Sequence, residues 1–193
     1  MKGNLFVVSG PSGSGKSTIC KQIVSLDKQI RLSVSATTRA PRAGEIDGVS
    51  YHFLDREEFD RKIQANEFYE YAHVYGNSYG TLKASVEEMR NQGYDVILEI
   101  EMQGAKQMKQ TVPETILIFI MPPSLEELKK RLHERKTETE SQIRMRFESA
   151  MAEIAENRYY DYTVTNADLD DAVNQVWQII KDCRKAHGPV ADK

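Results

Sequence analysis

The stretch F-V-V-S-G-P-S-G-S-G-K-S-T, residues 6–18, decides the fold. It begins within an apolar run at residues 5–8, which is typical of a buried strand. Apolar residues at helical spacing follow it, at positions 19, 23 and 24. Between strand and helix, residues 10–17 match G-x-x-x-x-G-K-S. In this order of strand, loop and helix, the pattern indicates a phosphate-binding P-loop.

The residue types of this loop suit a polyphosphate. Glycines let the backbone approach anionic oxygens closely, and N–H groups at a helix N-terminus favour negative charge. We expect Lys16 to reach the β- and γ-phosphates of a nucleoside triphosphate, and the Ser17 hydroxyl to bind Mg²⁺. A dinucleotide-binding G-x-G-x-x-G loop would need a glycine where Thr18 stands. The loop residues expected to bind the nucleotide are Gly10, Pro11, Ser12, Gly13, Ser14, Gly15, Lys16, Ser17 and Thr18.

Composition limits the remaining possibilities. A chain of 193 residues suits one domain with inserted lobes. Its formal net charge of −3, with acidic and basic residues interspersed, argues against a broad surface for nucleic acid or membrane. Cys20 and Cys183 lie far apart and predict neither a disulfide framework nor a metal site. Without a signal peptide or an apolar span of about 20 residues, a cytoplasmic protein is expected.

The order of apolar runs predicts an α/β fold. Runs at residues 95–100 and 115–121 read as core strands, the second at the sheet centre, and residues 169–184 form an amphipathic helix. Strands that alternate with helices predict a parallel sheet flanked by helices. The strand-rich and turn-rich region 35–85 breaks this alternation, so we expect an inserted lobe over the carboxyl ends of the strands. Within it, G-N-S-Y-G-T at 76–81 predicts a turn.

The inserted region holds residues suited to a second phosphate. Arg39 and Arg42 flank Pro41, and guanidinium groups match phosphate oxygens. Tyr51 and Tyr79 add hydroxyl donors. Spacing alone leaves two interpretations open, because charged loops are usually only solvated.

Two motifs in this region resemble guanylate kinases. They are S-V-S-A-T-T-R-A-P-R-A-G-E-I-D-G-V-S-Y-H-F at 33–53 and E-Y-A-H-V-Y-G-N-S-Y-G-T at 70–81. The resemblance runs from the P-loop to V-T-N at 164–166, and these two motifs are far more specific than the P-loop. It implies a P-loop three-layer fold with a mixed β/α GMP-binding lobe at 35–85 and a helical lid at 126–157. The core would comprise 1–34, 86–125 and 158–193.

The resemblance also implies a role for each matching residue. The GMP phosphate would be held by Arg39, Arg42, Tyr51 and Tyr79, and guanine would face Ser35, Glu70 and Thr81. Arg131, Arg135 and Arg146 of the lid would close over the transferring phosphoryl group, and Asn166 would contact adenine. Glu99 and Glu101 match an acidic pair at a strand end and would belong to the substrate-binding residues. Glu101, often Asp in the family, would contact guanine directly or through water, or would mainly order the Mg²⁺ shell.

Guanine recognition by these groups makes chemical sense. The Glu70 carboxylate can accept from guanine N1–H and N2–H₂, and the hydroxyls of Ser35 and Thr81 can donate to O6. Adenine lacks the N1 donor and the O6 acceptor, so a site of this kind rejects it.

The resemblance implies reversible, Mg²⁺-dependent transfer of the ATP γ-phosphoryl group to GMP, giving ADP and GDP in purine metabolism. Three alternatives stay open. A kinase for another nucleotide or a sugar phosphate would need a different acceptor pocket. A non-catalytic binding module would typically have a degraded P-loop, and a GTPase would need an N-K-x-D signature, which the sequence lacks. Small-molecule substrates are expected, and the sequence leaves the oligomeric state open.

Overall fold

The computed structural model describes residues 1–74, 76–133 and 140–186. The strands are β1 (Leu5–Ser9), β2 (Ile30–Leu32), β3 (Ala36–Thr37), β4 (His52–Phe53), β5 (Phe68–Val74), β6 (Asn77–Leu82), β7 (Asp95–Glu99), β8 (Ile116–Met121) and β9 (Tyr162–Thr165). The helices are α1 (Lys16–Leu26), α2 (Arg56–Gln64), α3 (Lys83–Asn91), α4 (Met102–Thr111), α5 (Leu125–His133), α6 (Glu140–Ala155) and α7 (Leu169–Ala186).

A five-stranded parallel sheet in the order β2-β7-β1-β8-β9 forms the core. Every residue of β1 is buried, as expected for a central strand covered on both faces. Phe6 and Val8 point to one face, where α1 and α7 pack, and Leu5 and Val7 point to the other, where α3 and α4 pack. The predicted α/β fold with a helix-flanked parallel sheet is confirmed.

A second sheet, in the order β4-β3-β6-β5, is mixed. β3 pairs with β4 in parallel, whereas β3 with β6 and β5 with β6 are antiparallel. Its small core includes Phe59 of α2 stacked on Phe68 of β5, with ring centroids 4.5 Å apart. The α5–α6 segment has its own apolar cluster around Leu128 and Ile143. These two units lie in the regions where the sequence predicted a lobe and a lid.

The structure differs from the sequence prediction in three places. The run at residues 115–121 forms β8 but is not the sheet centre, because β1 lies between β7 and β8 and holds that position. Residues 76–81 are not a turn as a whole, because β6 occupies Asn77–Leu82; within these six residues Gly76, with φ 81°, is the one outside the strand. Position 80, inside this strand, is a glycine because a side chain would not fit there: an added Cβ would stand 2.8 Å from the Phe68 ring. Helix α4 was not predicted. It buries Ala105 and Met108 against the core sheet, too few apolar positions for a clear helical pattern.

Within the described ranges, no helix combines the length and apolar character needed to cross a bilayer. Both cysteines are free thiols, and Cys20 is buried in the core cluster against α7. Burial strongly raises the pKa of the Cys20 thiol, so this side chain stays neutral and acts as a small apolar group.

The central position of β1 predicts where the fold is most sensitive. Phe6→Ala should lower the free energy of unfolding by about 3–5 kcal/mol, because it opens a cavity between β1 and the α1–α7 layer. Val49→Ala is the control, since Val49 is 68% exposed and its truncation should cost less than about 0.5 kcal/mol. Urea unfolding measures both, and equal effects would contradict this account of the core.

Candidate active site

A cavity of about 500 Å³ opens where the carboxyl edge of the core sheet meets the second sheet. Its wall is formed by the P-loop, by residues between 35 and 104, and by α6. The residues lining it are Ser12, Ser35, Arg42, Tyr51, Glu70, Ala72, Val74, Tyr79, Gly80, Glu99, Ile100, Glu101, Gly104, Arg146, Ser149 and Glu153. A groove of about 520 Å³ lies between α1 and α7, but none of the residues lining it belongs to the P-loop or to the carboxyl edge of the sheet. The first cavity is therefore the candidate active site.

The P-loop is held by its contacts with neighbouring backbone. Gly10 has φ 143°, and a Cβ there would stand 2.3 Å from the carbonyl oxygen of Ile120 on β8. Only glycine allows this approach. Gly15, with φ 94°, is the N-cap of α1 and leads the loop into the helix. The ammonium group of Lys16 folds back over the loop and donates to the carbonyls of Gly10 and Pro11.

Asn166 is placed behind the loop. Its side-chain amide donates to the Ser14 carbonyl at 2.7 Å, and the residue is only 5% exposed. The backbone carbonyl of Asn166 accepts from a guanidinium nitrogen of Arg131 at 3.4 Å. In this structure Asn166 therefore fixes the shape of the P-loop, and its predicted contact with adenine stays a prediction.

The Ser17 hydroxyl donates to the carboxylate of Glu99, at the end of β7. A hydroxyl and a carboxylate beside a phosphate loop are hard oxygen donors of the kind that Mg²⁺ prefers. Among the described residues, no group of three or more His, Cys, Asp or Glu side chains could hold a metal ion. Mg²⁺ takes most of its ligands from phosphate oxygens and water, so one hydroxyl and one carboxylate of the protein are enough to hold it beside a nucleotide. Ser17 and Glu99 thus fit a magnesium ion bound together with a nucleotide.

The deepest polar group in the cavity is Glu70 on β5. Thr81 on β6 donates its hydroxyl to one carboxylate oxygen of Glu70 at 2.6 Å, and both residues are buried. The other oxygen faces Gly104 of α4, where a Cβ would stand 2.6 Å from it. Burial raises the pKa of Glu70, while the Thr81 hydrogen bond opposes that shift. Ser35 also lines the cavity, whereas Thr81 does not and reaches it only through its hydrogen bond to Glu70.

The predicted phosphate site divides into two layers. Arg42, Tyr51 and Tyr79 line the cavity, and the two tyrosine rings meet edge to face with centroids 6.1 Å apart. Arg39 lies behind them, with its guanidinium carbon 5.4 Å from the centre of the Tyr51 ring. Glu45 accepts from one guanidinium nitrogen of Arg39 at 2.8 and 2.9 Å.

Glu45 is a residue of this site that the sequence analysis missed. Besides pairing with Arg39, it accepts from the backbone N–H of Arg42 at 2.7 Å. The Arg39 hydrogen bond, with help from the Arg42 N–H, holds the pKa of Glu45 below its usual value. The Glu45 carboxylate therefore links the side chain of Arg39 to the backbone of Arg42. Its place three residues after Arg42 was the only signal available in the sequence.

The predicted lid arginines approach the P-loop from α5 and α6. On α5, Arg131 Nε donates to Glu127 Oε1 at 2.9 Å. Two leucines of the same helix, Leu128 and Leu132, pack beside Gly13 of the P-loop. Arg146 has a guanidinium nitrogen 3.5 Å from the Ser12 hydroxyl and lines the cavity. Arg135 lies outside the described residues, so its predicted role stays a prediction.

Two acidic residues line the cavity, one from the core and one from α6. Glu101, just after β7, and Glu153, on α6, both line it. The pKa of Glu153 is raised to about 7, first by burial and then by the charge of Glu101, while Lys16 opposes the shift. Ser149 donates to one Glu153 oxygen at 3.2 Å. Glu153 was not predicted as a site residue, because an acidic residue on a charged helix carries no signal by itself.

The raised pKa of Glu153 makes stability depend on pH. The unfolded group titrates near 4.5 and the folded group near 7, so the folded state binds the proton more tightly. The stability that this contributes is full below the unfolded pKa and is lost as the pH rises through about 7. Glu153→Gln should therefore become more stable than wild type by roughly 1–2 kcal/mol at about pH 8, with little difference near pH 5, allowing for partial solvent screening.

Urea unfolding across this pH range measures the divergence. Glu148→Gln on the same helix is the matched control, because Glu148 lies at the surface beside Arg144. Its difference from wild type should stay flat. A flat difference for Glu153→Gln as well would show that the carboxyl is not destabilised by its surroundings.

Comparison with known proteins identifies the family. A family model for guanylate kinase matches residues 2–183. A guanylate kinase of Clostridioides difficile (strain 630) is 53% identical over 93% of this chain and 87% of its own. One of Clostridium tetani (strain Massachusetts / E88) is also 53% identical, over 93% and 86%. The crystal structure of guanylate kinase from Anaplasma phagocytophilum superposes with a TM-score of 0.76 at 34% identity, covering 94% of this chain and 86% of that one. The chain belongs to the guanylate kinase family.

Proposed function

We propose that this protein catalyses the reversible, magnesium-dependent transfer of the γ-phosphoryl group of ATP to GMP, giving ADP and GDP. One observation carries the proposal: a single cavity joins the edge of the P-loop to the buried Glu70–Thr81 pair. A phosphate loop alone would suit any nucleoside triphosphatase. A buried carboxylate acceptor beside it suits a base that offers adjacent N–H donors, as guanine does.

The acceptor is positioned at both ends. Glu70 and Ser35 take the guanine edge, and Arg42, Tyr51 and Tyr79 take the phosphate. Thr81 acts behind Glu70, because its one hydroxyl proton is donated to that carboxylate and not to guanine O6. Arg39 acts behind them, since it is paired with Glu45 and packed against the Tyr51 ring. We further propose that residues 35–85 act as the acceptor lobe and residues 126–157 as a lid over the core.

The donor lies on the P-loop, with its phosphates on the loop N–H groups. Lys16 would leave the loop carbonyls for the β- and γ-phosphates, since phosphate oxygens are the more strongly charged acceptors. An oxygen of the GMP phosphate then attacks the γ-phosphorus in line, without a covalent enzyme intermediate. A magnesium ion held beside Ser17 and Glu99 would neutralise charge on the phosphate oxygens.

The lid supplies charge and excludes water. Arg146 already reaches Ser12 of the P-loop, so a small approach of α6 would bring it to the transferring group. Arginines at such positions contribute about 10³-fold or more to phosphoryl transfer. Closure also prevents transfer to water.

An acceptor panel tests the proposal. Formation of ADP from ATP and magnesium is measured with GMP, dGMP, AMP, UMP, CMP or ribose 1,5-bisphosphate. We expect turnover with GMP far above that with AMP. Turnover only with another acceptor would retain the kinase and refute the Glu70 pocket. GMP binding without any turnover would favour a binding module.

Lys16→Ala should reduce kcat by about a thousandfold or more, because the charge that stabilises the transferring phosphoryl group is lost. GMP should still bind, which calorimetry can show. Lys21→Ala is the matched control, since Lys21 lies on the same helix in the groove beside α7. Near-normal turnover by Lys16→Ala would refute the role of the P-loop.

Gly104→Ala should damage guanine recognition without unfolding the chain. The new methyl group would stand 2.6 Å from a Glu70 carboxylate oxygen, and the end of a side chain can move away where backbone could not. We expect kcat/KM for GMP to fall about tenfold or more with little loss of stability. Thr81→Val, which removes the hydrogen bond to Glu70, should have a similar kinetic effect. Wild-type kinetics for both variants would place guanine elsewhere.

A further inference from the structure

Strand β5, which carries Glu70, lies at the edge of the second sheet. It pairs with β6 on one side, and among the described residues no strand follows it on the other side. The outer side of such a strand presents backbone N–H and C=O groups that need partners from elsewhere. The position of Glu70 therefore depends on what else holds β5.

The side chain of Gln107, on α4, holds the outer side of β5. Its amide oxygen accepts from the backbone N–H of Tyr71 at 3.2 Å, and its amide nitrogen donates to the Tyr71 carbonyl at 3.1 Å. Two residues that face each other across an antiparallel ladder exchange hydrogen bonds in this way. The Gln107 amide thus acts as a neighbouring strand at one position, and that position directly follows Glu70.

The same face of α4 approaches the Glu70 carboxylate itself. Gly104 and Gln107 are three residues apart, so they lie on one side of the helix. A Cβ at Gly104 would stand 2.6 Å from Glu70 Oε2, which shows how closely the carboxylate lies against α4. The Gln107 hydrogen bonds therefore set the spacing between strand and helix where the carboxylate meets the cavity.

Pairing with β6 is irregular on the other side of Glu70. A β-bulge lies between Phe68 and Glu70, since Phe68 is opposite Leu82 while Glu70 is opposite the adjacent Thr81. A bulge disrupts the ladder locally and redirects the neighbouring side chain. The ladder alone consequently fixes the direction of the Glu70 carboxylate less firmly than a regular pairing would, and the hydrogen bonds from α4 matter more.

We propose that Gln107 is a positioning residue for guanine recognition: it holds the Tyr71 backbone against α4 and so directs the Glu70 carboxylate at N1–H and N2–H₂ of the base together. The inference deepens the proposed function and rests on it, since it requires guanine to bind at Glu70. Two parallel hydrogen bonds need a fixed direction of the carboxylate, whereas a single bond tolerates a shift. A base with only one of these two donors should therefore depend less on Gln107.

Steady-state kinetics with GMP and IMP test this role. The base of IMP keeps N1–H and O6 of guanine but lacks the 2-amino group, and its Ki against GMP gives its affinity whether or not it is phosphorylated. Gln107→Met keeps the length of the side chain and removes both hydrogen bonds. It should raise KM for GMP about three- to tenfold, with kcat and KM for ATP within about twofold of wild type. The Ki of IMP should change by less than about twofold, because IMP can make only one of the two bonds.

Two further variants separate positioning from a general loss of structure. Gln110→Met is the matched control, because Gln110 is exposed on the same helix, and it should keep the wild-type constants. Gln107→Glu removes the donor to the Tyr71 carbonyl and places a negative charge beside it, so KM for GMP should rise at least as much as in Gln107→Met. A fraction of unfolded enzyme would lower the apparent kcat but would leave KM and Ki unchanged, so it cannot imitate the expected result.

The outcomes distinguish this inference from the proposed function. An unchanged KM for GMP in both Gln107 variants would refute the role of Gln107 while leaving the kinase intact. Equal weakening of GMP and IMP would also refute it, since that would indicate a loosened lobe without a specific effect on the Glu70 carboxylate. Failure of wild type to phosphorylate GMP would refute the proposed function itself, and this inference with it.

Discussion

The active site depends on how closely the P-loop lies against β8. Gly10 passes so near the Ile120 carbonyl that no side chain fits between them. This contact directs the loop across the carboxyl edge of the sheet, where Glu99 of β7 meets Ser17 of α1. Asn166 fixes the far side of the loop through the Ser14 carbonyl. A displaced loop would separate the donor phosphates from every group on the opposite wall of the cavity.

Two carboxylates that line the cavity, those of Glu70 and Glu153, have different surroundings. Glu70 receives a hydrogen bond from Thr81, so one oxygen is held and the other is directed at the cavity. Glu153 has a weaker hydrogen bond from Ser149 and an opposing carboxylate. Similar side chains are therefore held differently: the Glu70 carboxylate is fixed by a hydrogen bond on one oxygen, whereas the pKa of Glu153 is raised by burial and by a neighbouring carboxylate.

Sequence patterns predicted the parts of the molecule that depend on local order. The run at residues 5–8 and the P-loop glycines determine a strand and a turn by themselves, and both were correctly predicted. Strand β6 was missed because its polar residues are buried through pairing with β3 and β5 on either side, which no local pattern reveals. Helix α4 was missed for a similar reason, since it covers the core sheet with only a few small or flexible side chains. The roles of Glu45 and Glu153 arise from groups brought together by folding, so spacing along the chain could not indicate them.

The pairing of Arg39 with Glu45 has a consequence for the thermodynamics of binding. The carboxylate already orders the loop from Arg39 to Glu45, through the guanidinium group and the Arg42 backbone. The conformational entropy of that loop is therefore lost when the chain folds and not when a ligand arrives. A phosphate that reaches Arg42 and the two tyrosines meets a loop whose backbone is already ordered, so less of its interaction energy is lost to ordering that loop. An internal ion pair remote from the reacting atoms thus transfers part of the cost of recognition from binding to folding.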